Sequence, residues 1–200
     1  MKKLVLTLFS LLFLTFSTSI ANTYNSDPKL FITELVNDAI NALSDKTLSK
    51  EDKASFIEKI AIENIDINAL GLYTLGEVRK STNEDDLKKY QETFQKYFLK
   101  SLTSRLTDYS SNKLEVITSE TKSSNYTIVK SKILESENQP EIKIDWRVYT
   151  KNPEKPLIRD LIVEGLSLAR TQKEEFSSIL NSNDNNVRIL ISKLEEFVKN

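Results

Sequence analysis

The chain has 200 residues, with 28 Lys and Arg against 29 Asp and Glu, and neither His nor Cys. The near-even charge argues against the clustered basic face that nucleic-acid binding needs. Without His or Cys, Ser-His-Asp and Cys-His catalysis and ordinary zinc sites are excluded, and no disulfide supports the fold.

Lys2 and Lys3 lead into an apolar run from Leu4 to Phe16, and Ser19-Ile20-Ala21 places small residues where a signal peptidase cuts. That run falls short of the roughly 20 residues needed to span a bilayer. Residues 1–21 are therefore expected to be a cleaved signal peptide, and residues 22–200 a single domain. Asp27-Pro28 predicts the N-cap and first turn of a helix carrying Leu30, Phe31, Leu35, Ala39, Ile40 and Leu43 in an approximate stripe. Ser49, with Asp52 three residues on, opens a second helix that has Phe56, Ile57, Ile60 and Ala61 on one side. Ile65 to Gly76 is apolar nearly all round and predicts burial on several sides. Its Gly71 and Gly76 suit close backbone approach or a helix end. From Asp85 to about Tyr109 the spacing predicts the longest helix, with Tyr90, Phe94, Tyr97, Phe98 and Leu102 in its stripe. The lysines off that stripe, Lys88, Lys89, Lys96 and Lys100, read mostly as a solvated face.

Lys113–Thr121 and Asn125–Glu135 predict a hairpin around Lys122-Ser123-Ser124. Ile142, Ile144, Trp146 and Val148 then alternate with polar residues, the period of a strand with one buried face. Pro153 and Pro156 mark a turn, Leu157–Val163 returns as a strand, and helices over about Ala169–Leu180 and Asn186–Val198 close the chain. Helices, then consecutive strands, then helices predict an α+β domain, with an antiparallel sheet of about four strands backed by helices.

Several motifs stand in a suggestive order: Ala69-Leu70-x-Leu72 to Gly76, the long aromatic helix, Trp146-x-Val148, Asp160-x-x-x-Glu164-Gly165-x-Ser167, and Thr171-Gln172-Lys173-x-Glu175-Phe176. Together they resemble the MlaC (toluene-tolerance) family of periplasmic phospholipid-binding proteins, which serve an ABC transporter. The resemblance implies a curved, helix-backed sheet, a cone broadly like nuclear transport factor 2, enclosing an apolar cavity. Acyl chains would lie between helices and sheet, with the headgroup near the surface. It also implies a periplasmic location, phospholipid as cargo with no cofactor, and a role in outer-membrane lipid asymmetry. The implied partners are an outer-membrane lipoprotein complex and an inner-membrane ABC transporter complex, each docked transiently. Phe94, Phe98 and Leu102 of the aromatic helix, with Ile144, Trp146, Val148 and Val163 of the strands, are expected to line the cavity. The chain departs from the family at Glu77-Val78-Arg79, where Trp is frequent, at Lys173, where Arg is common, and around Asp184, where a glycine-containing segment often precedes the last helix. None of these changes puts a charge into the expected apolar walls.

Asp160 and Glu164 share a strand face, and the expectation is a salt bridge or helix cap rather than catalysis. Gly165 would supply unusual backbone angles, and Ser167 would cap the following helix. Ser119-x-x-Lys122 matches a nucleophile motif, but it sits at a strand end without Lys-Thr-Gly and is read as chance. No catalytic residue or metal ligand is assigned, and the expected protein is not an enzyme. Two alternatives stay open: a small-molecule enzyme on the same cone-shaped fold, and a periplasmic carrier of acylated proteins.

Overall fold

A computed structural model of the protein describes residues 24–106, 113–135 and 140–200. The expected signal peptide and Tyr109 lie outside the described residues. Four helices come first: α1 (Pro28–Ser44), α2 (Lys50–Asn64), α3 (Ile67–Leu75) and α4 (Glu84–Leu106). The strands follow as β1 (Leu114–Ser123), β2 (Tyr126–Ile133), β3 (Ile142–Tyr149), β4 (Leu157–Val163) and β5 (Leu166–Ser167). Helices α5 (Leu168–Asn181) and α6 (Val187–Lys199) complete the chain.

Local chemistry sets the ends of these elements. Asp27 accepts from the N–H groups of Lys29 and Leu30, Ser49 from that of Asp52, and Asp66 from that of Ala69. Each short polar side chain thus satisfies donors that a first helical turn leaves without partners. Gly76 ends α3 at a φ of 63°, a conformation that strains residues with a Cβ. Asp184 and Asn185, at φ of 52° and 56°, turn the chain between α5 and α6. Asp and Asn tolerate that region better than other side chains, which is how this link dispenses with glycine.

All five strands pair antiparallel in chain order, one more than the four expected, because the two-residue β5 folds back on the end of β4. Glu164 and Gly165 make that turn at φ of 48° and 83°, both positive as a two-residue type I′ loop requires. The β3–β4 pairing carries a bulge. Arg147 opposes Asp160 while Val148 opposes Ile158, so Arg159 is the extra residue. Strict alternation would send Ile158 and Leu161 to opposite faces; the bulge brings both to the helix side.

Two cores meet at Ile65, the residue that ends α2 and packs against both. Phe31, Ile32, Leu35 and Val36 of α1, with Ile60 of α2, pack on Val129, Val148 and Ile158. Burial of a side chain of this size contributes roughly 1.5–3 kcal/mol. The second core joins α3 to α6 through Leu75, Tyr90, Phe94, Phe176, Leu180 and Leu190. Within it the Tyr90 hydroxyl lies 2.9 Å from Thr74 Oγ1 and 3.1 Å from the Gly71 carbonyl. Burial pushes the Tyr90 hydroxyl well above its ordinary pKa, so it remains protonated.

Gly71 is required by its neighbour, since a Cβ there would lie 2.9 Å from Phe94 Cδ1. Gly71→Ala is therefore expected to displace the Phe94 ring and to cost about 1–3 kcal/mol. Thermal unfolding checks this, and a midpoint at or above that of the parent would refute the tight α3–α4 contact. On the opposite side of α4, Asp86 pairs with Arg188 at 2.9 Å, Lys89 with Glu195 at 2.7 Å, and Lys100 Nζ donates to the Val198 carbonyl at 3.0 Å. Hydrogen bonds from Asn83 and Arg188 hold the Asp86 carboxyl below the usual carboxylate range. Exposed pairs of this kind add little energy, but they tie α4 to α6.

Candidate apolar binding site

Where the two cores meet they do not close. A cavity of about 190 Å³ remains between α4 and the β3–β4 pair, with α3 and the start of α5 completing its walls. Phe94, Phe98 and Leu102 line it from α4, and Trp146, Ile158 and Leu161 from the sheet. Exposure rises along the α4 stripe: Phe94 is 3% exposed, Phe98 and Leu102 are half-buried, and Arg105 is exposed. The mouth therefore lies at the C-terminal end of α4. A wider hollow of about 580 Å³ on α5 is lined largely by charged and polar side chains, and one of about 740 Å³ over the outer sheet face mixes Lys122, Lys130, Arg147 and Arg159 with Leu70, Ile128 and Ile162.

One wall is built at the edge of β4. Ile65 bridges Ile158, and β5 pairs with Ile162 and Val163. Between those contacts the start of α5 meets the strand through Asp160. Its carboxylate accepts from the Ala169 N–H at 3.0 Å and the Ser167 hydroxyl at 2.6 Å, with the Arg147 guanidinium 3.6 Å away. Ser167 Oγ accepts in turn from the Arg170 N–H at 3.0 Å, capping α5. Asp160 is thus committed to the strand-to-helix corner, with its side chain 1% exposed. Glu164 accepts from the Lys143 N–H. The bulged Arg159 points to the outer face, where it pairs with Asp66 at 2.7 Å and stacks 3.4 Å over the Tyr149 ring. It thereby clamps the N-cap of α3 to the sheet.

A family model described as MlaC protein matches residues 33–196, which include every residue of this cavity. The chain belongs to the MlaC family. It is also similar in structure to a phospholipid-binding protein from Ralstonia solanacearum, solved in complex with a phospholipid. The TM-score is 0.69 at 17% identity, over 84% of this chain and 94% of that one, a likeness of fold. No curated protein matches the chain by sequence.

In this MlaC chain the structure brings together four of the residues expected to line the cavity: Phe94, Phe98, Leu102 and Trp146. It does not bring Ile144, Val148 and Val163 there. Ile144, Trp146 and Val148 share a face of β3, but at about 3.4 Å per residue the outer two stand roughly 14 Å apart. The cavity reaches only the middle one. Val148 is fully buried against α1 and α2, while Ile144 pairs with Val163 at the β5 end of the sheet. Ile65, Leu70, Ile158, Leu161 and Leu168 also line the MlaC cavity, beyond the residues expected there. The all-round apolar run beginning at Ile65 was the visible signal for the first two. Leu161 and Ile158 depend on a bulge that alternation does not reveal. Trp146 is held in the wall by its Nε1, which donates to Ser131 Oγ at 2.8 Å.

Proposed function

We propose that this protein is a non-enzymatic phospholipid carrier of the periplasm, exported by way of residues 1–21. It takes acyl chains into the cavity and passes glycerophospholipids between an outer-membrane lipoprotein complex and an inner-membrane ABC transporter complex, maintaining outer-membrane lipid asymmetry. The observation that carries the reading is the unfilled space between Phe94-Phe98-Leu102 and Trp146-Leu161. Membership of the MlaC family and the fold shared with a protein solved with bound phospholipid support it.

The energetics suit a carrier. Leaving a chain of about sixteen carbons in water costs roughly 13 kcal/mol, at about 0.8 kcal/mol per methylene. A wall of Phe, Leu and Ile removes that cost without chemistry, and a bilayer is equally apolar, so loading and release are both accessible. At about 190 Å³ the cavity is below the roughly 300–1,000 Å³ of ordinary ligand pockets. Loading a diacyl lipid therefore entails separation of α4 from β3 and β4. Among the described residues no free base faces the space, since Asp160 is held by Ser167, Ala169 and Arg147.

Trp146 is the sole tryptophan of the chain and stands in the cavity wall, so its fluorescence reports occupancy. Incubation with vesicles of phosphatidylglycerol brominated on its acyl chains is expected to quench Trp146 to saturation at a fixed lipid-to-protein ratio. Native mass spectrometry should show the same ratio. Bound lipid without quenching would place the chains elsewhere and overturn the cavity reading. Copurification of acylated protein in place of free lipid would favour the protein-linked alternative.

A further inference from the structure

Among the described residues two charged side chains line the apolar cavity, those of Asp160 and Arg105. Asp160 is consumed by the corner between β4 and α5. Arg105 makes no ion pair or hydrogen bond among the described residues. It ends the stripe Phe94, Phe98, Leu102, Arg105, whose steps of four, four and three residues keep all of them on one side of α4. Ser101, one turn before it, also lines the cavity and offers a hydroxyl on the same side. At 1.5 Å per residue the stripe from Phe94 to Arg105 is about 16 Å long. One leaflet of a bilayer provides about 15 Å of hydrocarbon, half of a core about 30 Å thick. The guanidinium thus stands above an apolar wall at the height where a phosphodiester stands above its acyl chains.

We propose that Arg105, with Ser101, is the subsite for the lipid phosphodiester and sets the orientation of the cargo, chains toward Phe94 and head at the end of α4. This rests on the carrier reading above. A guanidinium offers two parallel donors to phosphate oxygens, and a hydroxyl adds a third. The site therefore selects phosphate-bearing lipids over neutral diacylglycerols of the same chains. A cation in the last turn of a helix also favours the helix dipole, a role indifferent to the ligand.

Trp146 quenching separates the two roles, using brominated dioleoyl phosphatidylglycerol and brominated dioleoylglycerol with wild type, Arg105→Ala and Arg105→Lys. Wild type is expected to load the phospholipid at least tenfold more tightly than the diacylglycerol. Arg105→Ala should lose about tenfold for the phospholipid alone, with Arg105→Lys between the two. A large excess of inorganic phosphate at constant ionic strength should leave phospholipid loading unchanged, because free phosphate lacks the chains. Equal loading of both lipids by wild type and Arg105→Ala would overturn the subsite while leaving the carrier intact. Displacement by inorganic phosphate would reassign Arg105 to the free anion and overturn the headgroup role. Quenching of wild type by neither lipid would overturn the carrier reading and the subsite with it.

Discussion

Phe98→Asp should give a folded protein that no longer loads lipid, whereas Val148→Asp should not fold. Phe98 is half-buried toward the mouth of the cavity, with its ring 6.2 Å from that of Phe94. In the empty protein a carboxylate there remains hydrated through the opening, so the fold survives at a cost of about 1–3 kcal/mol. Against acyl chains the same carboxylate would be stripped of water, a penalty of several kcal/mol. Loading should therefore fall by more than a hundredfold. Val148 has no exposed surface and lies under α1, against Phe31, Ile32 and Leu35. An unpaired charge there consumes a large part of the roughly 5–15 kcal/mol that stabilises a domain. Circular dichroism and thermal unfolding distinguish the two variants, and Trp146 quenching reads the loading of the folded one. A folded Phe98→Asp protein that still quenched fully would sink the cavity assignment.

Asp160→Ala is expected to lower stability by about 3 kcal/mol, and so the melting midpoint by roughly 6–12 °C for a chain of this size. The carboxylate holds a backbone N–H at 3.0 Å and a hydroxyl at 2.6 Å beside the Arg147 guanidinium. Removing it strands those donors in a corner where the Asp160 side chain is 1% exposed. The loss should also reach function, since Leu168 and Ala169 of the cavity wall are positioned by that corner. Ser167→Ala removes the α5 cap, along with one of the donors to Asp160, and should cost about 1 kcal/mol. Differential scanning calorimetry measures both. An Asp160→Ala protein melting within a degree of wild type would show that the corner is not held as described.

Much of the fold was legible because its causes are local. The caps at Asp27, Ser49 and Ser167 act within three residues of themselves, so sequence spacing reveals them. The alternation of Ile142 to Val148 and the stripe of α4 follow from the periods of strand and helix. Gly71 and Gly76 were readable as a close approach and a helix end, and each serves as one. Motif order also sufficed to point to the MlaC family, which the match over residues 33–196 shows.

The cavity lining was legible only in part. Periodicity assigns a residue to a face, but not to the helix that covers that face. Ile144, Trp146 and Val148 are equivalent by alternation, yet one is sealed under α1, one meets the cavity, and one lies toward β5. The bulge at Arg159 reverses the alternation midway through β4, adding Ile158 and Leu161 to the wall and sending an arginine outward to Asp66. The partner of that arginine is non-local, for Asp66 lies 93 residues earlier in the chain. Local spacing thus sufficed for the long elements, their order and the family, since these depend on neighbours a few residues apart. Where two cores fail to meet, and which side chains face the gap, follow from packing across α1, α4 and the sheet, which joins residues that no local pattern relates.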